Sequence, residues 1–134
     1  MEKGEISMNL LSANNLIAIY CILIGLMMIG MWLYLLLKNQ VPELQPESYA
    51  PKLISYHVVA ELLTGIFLII SGAGLFLGSD WARMLSAISL GMLFYSVINS
   101  PGKYAHENNV PMVAMFTVIT ILTVMAMVAL FKFS

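Results

Sequence analysis

Four long apolar runs follow one another along the chain, separated by short stretches of polar, proline or glycine residues. The runs predict helices at 16–37, 53–78, 82–100 and 110–131, because a helix needs about 20 consecutive apolar residues to cross the hydrocarbon core of a bilayer. The pattern therefore predicts an all-α integral membrane protein, a four-transmembrane-helix antiparallel bundle that forms a single domain over residues 1–134.

Prolines mark the longest connection in the chain. The segment 38–52 carries Pro42, Pro46 and Pro51, each without a backbone donor, and it is predicted to be a long polar loop. Pro101 in the same way predicts the end of the third helix.

Small residues predict how the second and third helices meet. The short link after Gly78 makes these helices antiparallel neighbours, since so few residues can only reverse the chain. Small side chains let membrane helices approach closely. The small residues predicted to line this contact are Gly65, Gly72, Gly74 and Gly78 on the second helix, with Ala87 and Gly91 on the third.

The composition supports a lipid environment. Of the 134 residues, 60% are hydrophobic and 10% are charged, more apolar surface than a soluble fold of this size could bury. The lipid bilayer is thus the predicted surrounding. A net charge of −1 gives no basic surface for nucleic acid, so no nucleic-acid partner is expected.

Four spans place both termini on one side of the membrane, here named face A, and the 38–52 loop on the other, face B. The positive-inside rule gives no orientation, because Lys and Arg are equally divided between the two faces. Proteins with an even number of spans commonly keep their termini inside, so cytoplasmic termini are expected. The cations are Lys3, Arg83 and Lys132 on face A and Lys38, Lys52 and Lys103 on face B.

Two ionisable residues lie inside the second span, one helical turn apart. At 1.5 Å per residue, His57 lies about 6 Å and Glu61 about 12 Å below face B. On the third helix, Tyr95 and Asn99 reach matching depths, so the four side chains are predicted to face one pocket. Ionisable residues within membrane spans are usually functional, and Glu61 is too short to reach the surface.

Hydroxyl side chains extend the polar stripe. The spacing 57, 61, 64, 68, 71 keeps one face of the second helix, the third helix offers Ser96, and Thr117 on the fourth lies near the depth of Glu61. Serine and threonine in membrane helices usually bond to their own backbone, which is the structural alternative for each. The candidate ligand-binding residues are His57, Glu61, Tyr95, Ser96, Asn99 and Thr117.

A metal site is a further hypothesis. His57 and Glu61 could share one coordination sphere, and His106 from the next loop would complete a zinc-like set of two histidines and a carboxylate. The spacing matches no known zinc signature, so an ion pair of His57 and Glu61 without a metal is favoured over zinc or another divalent metal.

Three functions fit this pattern. The leading hypothesis is a small membrane protein that binds and moves a small solute, ion or proton through a polar pocket centred on Glu61 and His57. The first alternative is a membrane enzyme that acts on a lipid-like substrate, with the same two residues as acid and base. The second is a non-catalytic subunit or assembly factor of a membrane complex. Small-residue helix faces also suggest a homo-oligomer.

Overall fold

A computed structural model describes residues 12–38, 51–106 and 108–132. Each of its helices contains a stretch that is long and apolar enough to cross a membrane, which confirms the prediction of four such helices. The loop predicted at 38–52 falls largely outside the described residues. The helices are α1 (Ala13–Leu37), α2 (Pro51–Phe76), α3 (Asp80–His106) and α4 (Val110–Lys132).

A glycine in the left-handed conformation ends α2 and turns the chain into α3. Gly78 has φ +70, which only glycine adopts without strain. The Ser79 amide donates to the carbonyl of Gly74 at 2.9 Å, and the Gly78 amide donates to that of Leu75 at 3.2 Å. These two bonds form a Schellman motif, which satisfies carbonyl groups left over at the helix end. Gly78 is therefore a turn residue rather than a packing residue.

The third helix is longer than predicted. It continues past Pro101 to His106, so the expected stop at this proline was wrong. A proline inside a helix removes one backbone hydrogen bond and crowds the carbonyl four residues earlier. Near the end of a span, water and neighbouring groups can compensate for that loss, and the helix then continues.

Helix neighbours are α1 with α2, α2 with α3, α3 with α4 and, through a narrower contact, α4 with α1. The four helices thus form a closed ring, which we call the bundle. Its fully buried side chains include leucines and small polar residues together, so the centre is only partly apolar. The largest of these are Leu68, Leu90, Leu93, Leu130, Thr123 and Cys21.

The backbones of α1 and α2 approach closely at glycines. A Cβ atom added at Gly25 would lie 2.6 Å from the carbonyl oxygen of Gly65, and one added at Gly72 would lie 2.8 Å from that of Ala18. Gly65 and Gly72 therefore pack against α1, and the prediction that they pack against α3 was wrong. The spacing of small residues indicated a contact face but not which neighbour it meets.

The contact between α2 and α3 uses fewer of the predicted small residues. Gly74 does meet α3, because an added Cβ would lie 2.7 Å from Ala82. A Cβ added at Gly91 would have no neighbour within 4 Å, so this residue does not contribute to the predicted packing.

Polar bonds connect α4 to the rest of the bundle. The guanidinium of Arg83 on α3 donates to the carbonyl oxygen of Leu130 at 2.7 Å, near the end of α4 where carbonyls lack helical partners. The hydroxyls of Tyr20 on α1 and Thr123 on α4 bond at 2.7 Å. These contacts give α4 partners on both of its neighbours.

The glycine contact predicts a position-specific loss of stability. Gly25→Ala is expected to lower the free energy of unfolding by about 1–3 kcal/mol, since its methyl group must displace backbone. Gly30→Ala is the matched control on the same helix, because a Cβ there has no neighbour within 4 Å. Thermal unfolding in detergent, followed by circular dichroism, measures both. Equal stability of the two variants would contradict the close approach.

Candidate functional site

The carboxyl group of Glu61 lies inside the bundle. The residue is 8% exposed, and the Ser96 hydroxyl on α3 donates a hydrogen bond to its Oε1. No Lys, Arg or His of the described residues forms an ion pair with it. A carboxylate buried in an apolar surrounding is costly unless it is hydrogen-bonded or paired with a cation. Glu61 is the centre of the candidate site.

The stripe predicted on α2 explains why Glu61 is buried. Thr64, Leu68 and Ser71 follow it on the same face, and each is buried at 3% exposure or less. These positions repeat at intervals of three and four residues, so one side of the helix faces the bundle interior over several turns. The hydroxyl of Thr64 donates to the carbonyl of Ala60 at 2.8 Å.

His57 begins this stripe but is exposed. Its imidazole ring meets the indole ring of Trp32 on α1 edge to face, with 5.8 Å between the ring centroids and 77° between their planes. Trp32 itself is 5% exposed, and its buried Nε1 has no hydrogen-bond partner among the described residues. The two rings therefore lie one turn from Glu61, at the end of the stripe, and His57 is not bonded to the carboxyl group.

The third helix presents a different residue to Glu61 than expected. Tyr95 is 72% exposed and Asn99 is also exposed, so the prediction that both face the carboxyl group was wrong. Ser96 takes that position. Successive helical residues point about 100° apart, so matching depths could not decide between Tyr95 and its neighbour. Ser96 was among the candidates, whereas its direct bond to Glu61 was not predicted.

Thr117 on α4 is exposed, and its hydroxyl donates to the carbonyl of Val113 at 2.8 Å. This is the backbone bond expected of a threonine in an apolar helix, and the residue does not reach Glu61. The structure thus brings Glu61 and Ser96 together, with His57 one turn away. Ligand binding by any of the six candidates stays a prediction.

The zinc hypothesis stays a prediction as well. Across the described part of the chain, no three His, Cys, Asp or Glu side chains come together as a metal site. The side chain of His106 lies outside the description, so the full predicted set of His57, Glu61 and His106 is not tested.

Buried serines continue the polar interior beyond Glu61. The hydroxyls of Ser71 on α2 and Ser89 on α3 lie 3.2 Å apart, and both residues are fully buried. Ser86, one turn from Ser89, is also fully buried, and its hydroxyl has no hydrogen-bond partner in the part of the chain that the structure describes. Sequence reasoning missed Ser86. Its spacing of three residues from Ser89, which in turn lies seven residues before Ser96, was the available signal.

These features define a class of protein: four apolar helices that could cross a membrane, closed around an acid and a series of hydroxyl groups. The chain belongs to the family described as a domain of unknown function (DUF8058), whose family model matches residues 11–134. No curated protein and no solved structure matches it.

The bond between Ser96 and Glu61 can be tested by a double-mutant cycle. Ser96→Ala is expected to destabilise the wild-type protein more than the Glu61→Leu variant, because only the wild type has a carboxyl group to lose its donor. The expected coupling is about 0.5–2 kcal/mol, typical of hydrogen bonds between membrane helices. Chemical unfolding in mixed micelles measures it. Strictly additive effects would show that the two side chains do not interact.

Proposed function

We propose that this chain is an integral membrane protein whose antiparallel helices enclose a binding site for a proton, ion or small solute at Glu61. The order of contacts supports the antiparallel arrangement, because residues near the start of α1 meet residues near the end of α2. Ala18 pairs with Gly72, Gly25 with Gly65 and Trp32 with His57. Between α2 and α3, Glu61 pairs with Ser96 and Gly74 with Ala82.

The outer surface supports a lipid environment. Large apolar side chains are exposed on every helix, among them Leu23, Ile66, Met84 and Met125. A soluble protein rarely exposes so large a continuous apolar surface. Acyl chains would cover these residues without cost, whereas polar groups would remain inside.

The observation that carries the proposal is the buried carboxyl group of Glu61. The hydrogen bond from Ser96 satisfies one oxygen in part, but a hydroxyl cannot neutralise a charge. A carboxyl group at this depth costs about 3 kcal/mol or more if it is charged and unpaired. Glutamine or leucine at this position would bury no charge. A site that takes up and releases a proton or a cation requires an acidic side chain, and Glu61 would supply it.

His57 and Trp32 would control access to this site. They lie one turn from Glu61 towards face B, where His57 is exposed and Trp32 is buried. In this arrangement an ion or solute passes His57 and the Trp32 ring between the surface and Glu61, and the Trp32 ring restricts the width of that path.

Transport assays test the proposal directly. The protein is reconstituted in liposomes that contain an indicator for pH or sodium, and a membrane potential is applied. Glu61→Gln is expected to abolish the flux, because the amide has a similar shape but cannot take up a proton or neutralise a cation. Asp80→Asn is the matched control, since it makes the same chemical change at an exposed position at the start of α3. Wild-type flux in the Glu61→Gln liposomes would contradict the proposal.

A second candidate function is a subunit of a larger membrane complex. The observation in its favour is the polar pair Tyr95 and Asn99 on the outer surface of α3, where lipid offers an amide no hydrogen-bond partner. Changing both to leucine is expected to lower the mass of the purified particle, measured by light scattering in detergent. The control is Met84→Leu on the same helix. An unchanged mass, equal to that of a monomer, would exclude this role for the pair.

A further inference from the structure

Buried hydroxyl groups follow the bond between Glu61 and Ser96 along both α2 and α3. All of these side chains are at most 3% exposed, in a bundle whose other buried side chains are mostly apolar. We name them the hydroxyl ladder. Its members are Thr64 and Ser71 on α2 and Ser86 and Ser89 on α3.

The spacing of the ladder follows from the two bonds that connect the helices. With the bond between Glu61 and Ser96 as the origin, a rise of 1.5 Å per residue places Thr64 about 4.5 Å deeper and Ser89 about 10.5 Å deeper. Ser71 and Ser86 both lie about 15 Å deeper by the same measure. The bond of 3.2 Å between Ser71 and Ser89 shows that the levels of these two residues meet.

Leucines occupy the opposite side at two of the levels. Leu93 lies at the level of Thr64 and Leu68 at the level of Ser89, and both are almost completely buried. Each level therefore offers one or two neutral oxygens. Metal cations need more: calcium takes six to eight oxygens and magnesium six. A hydroxyl, in contrast, can accept one proton and donate another, which is what proton transfer requires.

Ser86 supplies an independent observation. Its hydroxyl is fully buried and has no partner among the described residues. Burial of an unbonded hydroxyl costs about 1–3 kcal/mol, and alanine at this position would avoid that cost. The other ladder hydroxyls bond to backbone carbonyls of their own helices, as Ser89 does to Leu85 at 2.9 Å. A hydroxyl with no structural bond, at the end of a series of hydroxyls, indicates a ligand that forms hydrogen bonds.

We infer that the hydroxyl ladder is a proton relay, and that water bound at Ser86 connects it to face A. This inference rests on the proposed function and narrows the moving species to a proton. In each step a hydroxyl oxygen accepts a proton from the donor above and releases its own to the acceptor below. Each hydroxyl forms one O–H bond and breaks another, so its number of bonds and its charge are the same after the step as before. Because successive levels are up to about 6 Å apart along the axis, a water molecule bridges the longer steps.

Proton flux in liposomes tests the relay. The liposomes contain a pH indicator, and a potassium gradient with an ionophore sets the potential. Ser86→Ala is expected to reduce proton flux to the level of Glu61→Gln, because the last hydroxyl is lost. Ser86→Thr is expected to restore it, since the hydroxyl returns. Thr120→Val is the matched control: it removes a hydroxyl on α4 that bonds only to the carbonyl of Phe116.

Stability measurements separate a relay from a structural role. The Ser86 hydroxyl bonds to no described group, so Ser86→Ala is expected to unfold at the same temperature as the wild type or higher. Loss of flux in a variant of unchanged stability supports the relay. Loss of flux together with a lower unfolding temperature, and no recovery in Ser86→Thr, would overturn it.

The outcomes also separate the relay from the proposed function. Flux that depends on Glu61 but is unchanged in Ser86→Ala would overturn the relay and leave the site at Glu61 intact. Flux that disappears when sodium and potassium outside are replaced by a large organic cation, with the potential maintained, would also overturn it. Flux that is the same in wild type and Glu61→Gln would remove the proposed function, and the relay with it.

Discussion

A carboxyl group inside an apolar bundle needs donors, a proton or a cation, and Glu61 finds its donor in the hydroxyl of Ser96 on the adjacent helix. This bond also sets the register of α2 against α3. Ten residues further along α2, the same register brings Ser71 to within 3.2 Å of Ser89. The two contacts therefore belong to one polar interior, because the register that pairs Glu61 with Ser96 also pairs Ser71 with Ser89.

The first helix keeps α2 in the position that the site needs. At Gly25 and Gly65 the two backbones are too close for a Cβ atom on either residue to fit without displacement. That close approach also places the ring of Trp32 against His57. The close approach at Gly25 thus has a consequence for the candidate site, because it accompanies the contact of Trp32 with His57, one turn from Glu61.

Much of this arrangement was predictable from the sequence, because length and hydropathy suffice to find four apolar helices. The inward stripe from Glu61 to Ser71 followed from spacing on a single helix. Contacts between helices were harder to predict. The sequence indicated the position of Tyr95 along the helix axis but not the direction of its side chain, and Ser96 is the residue that faces Glu61. Gly65 met α1 instead of α3 for the same reason, since the rotation of each helix about its axis depends on all of its neighbours together.

The central claim is that Glu61 is sheltered within the bundle at membrane depth and bonded to Ser96. Solid-state nuclear magnetic resonance of the labelled protein in lipid bilayers tests it most directly, through correlations of the Glu61 carboxyl carbon with the Ser96 side chain, with acyl chains and with water. The account predicts a correlation with Ser96 and none with acyl chains. A carboxyl carbon that correlates with acyl chains or bulk water, and not with Ser96, would contradict it.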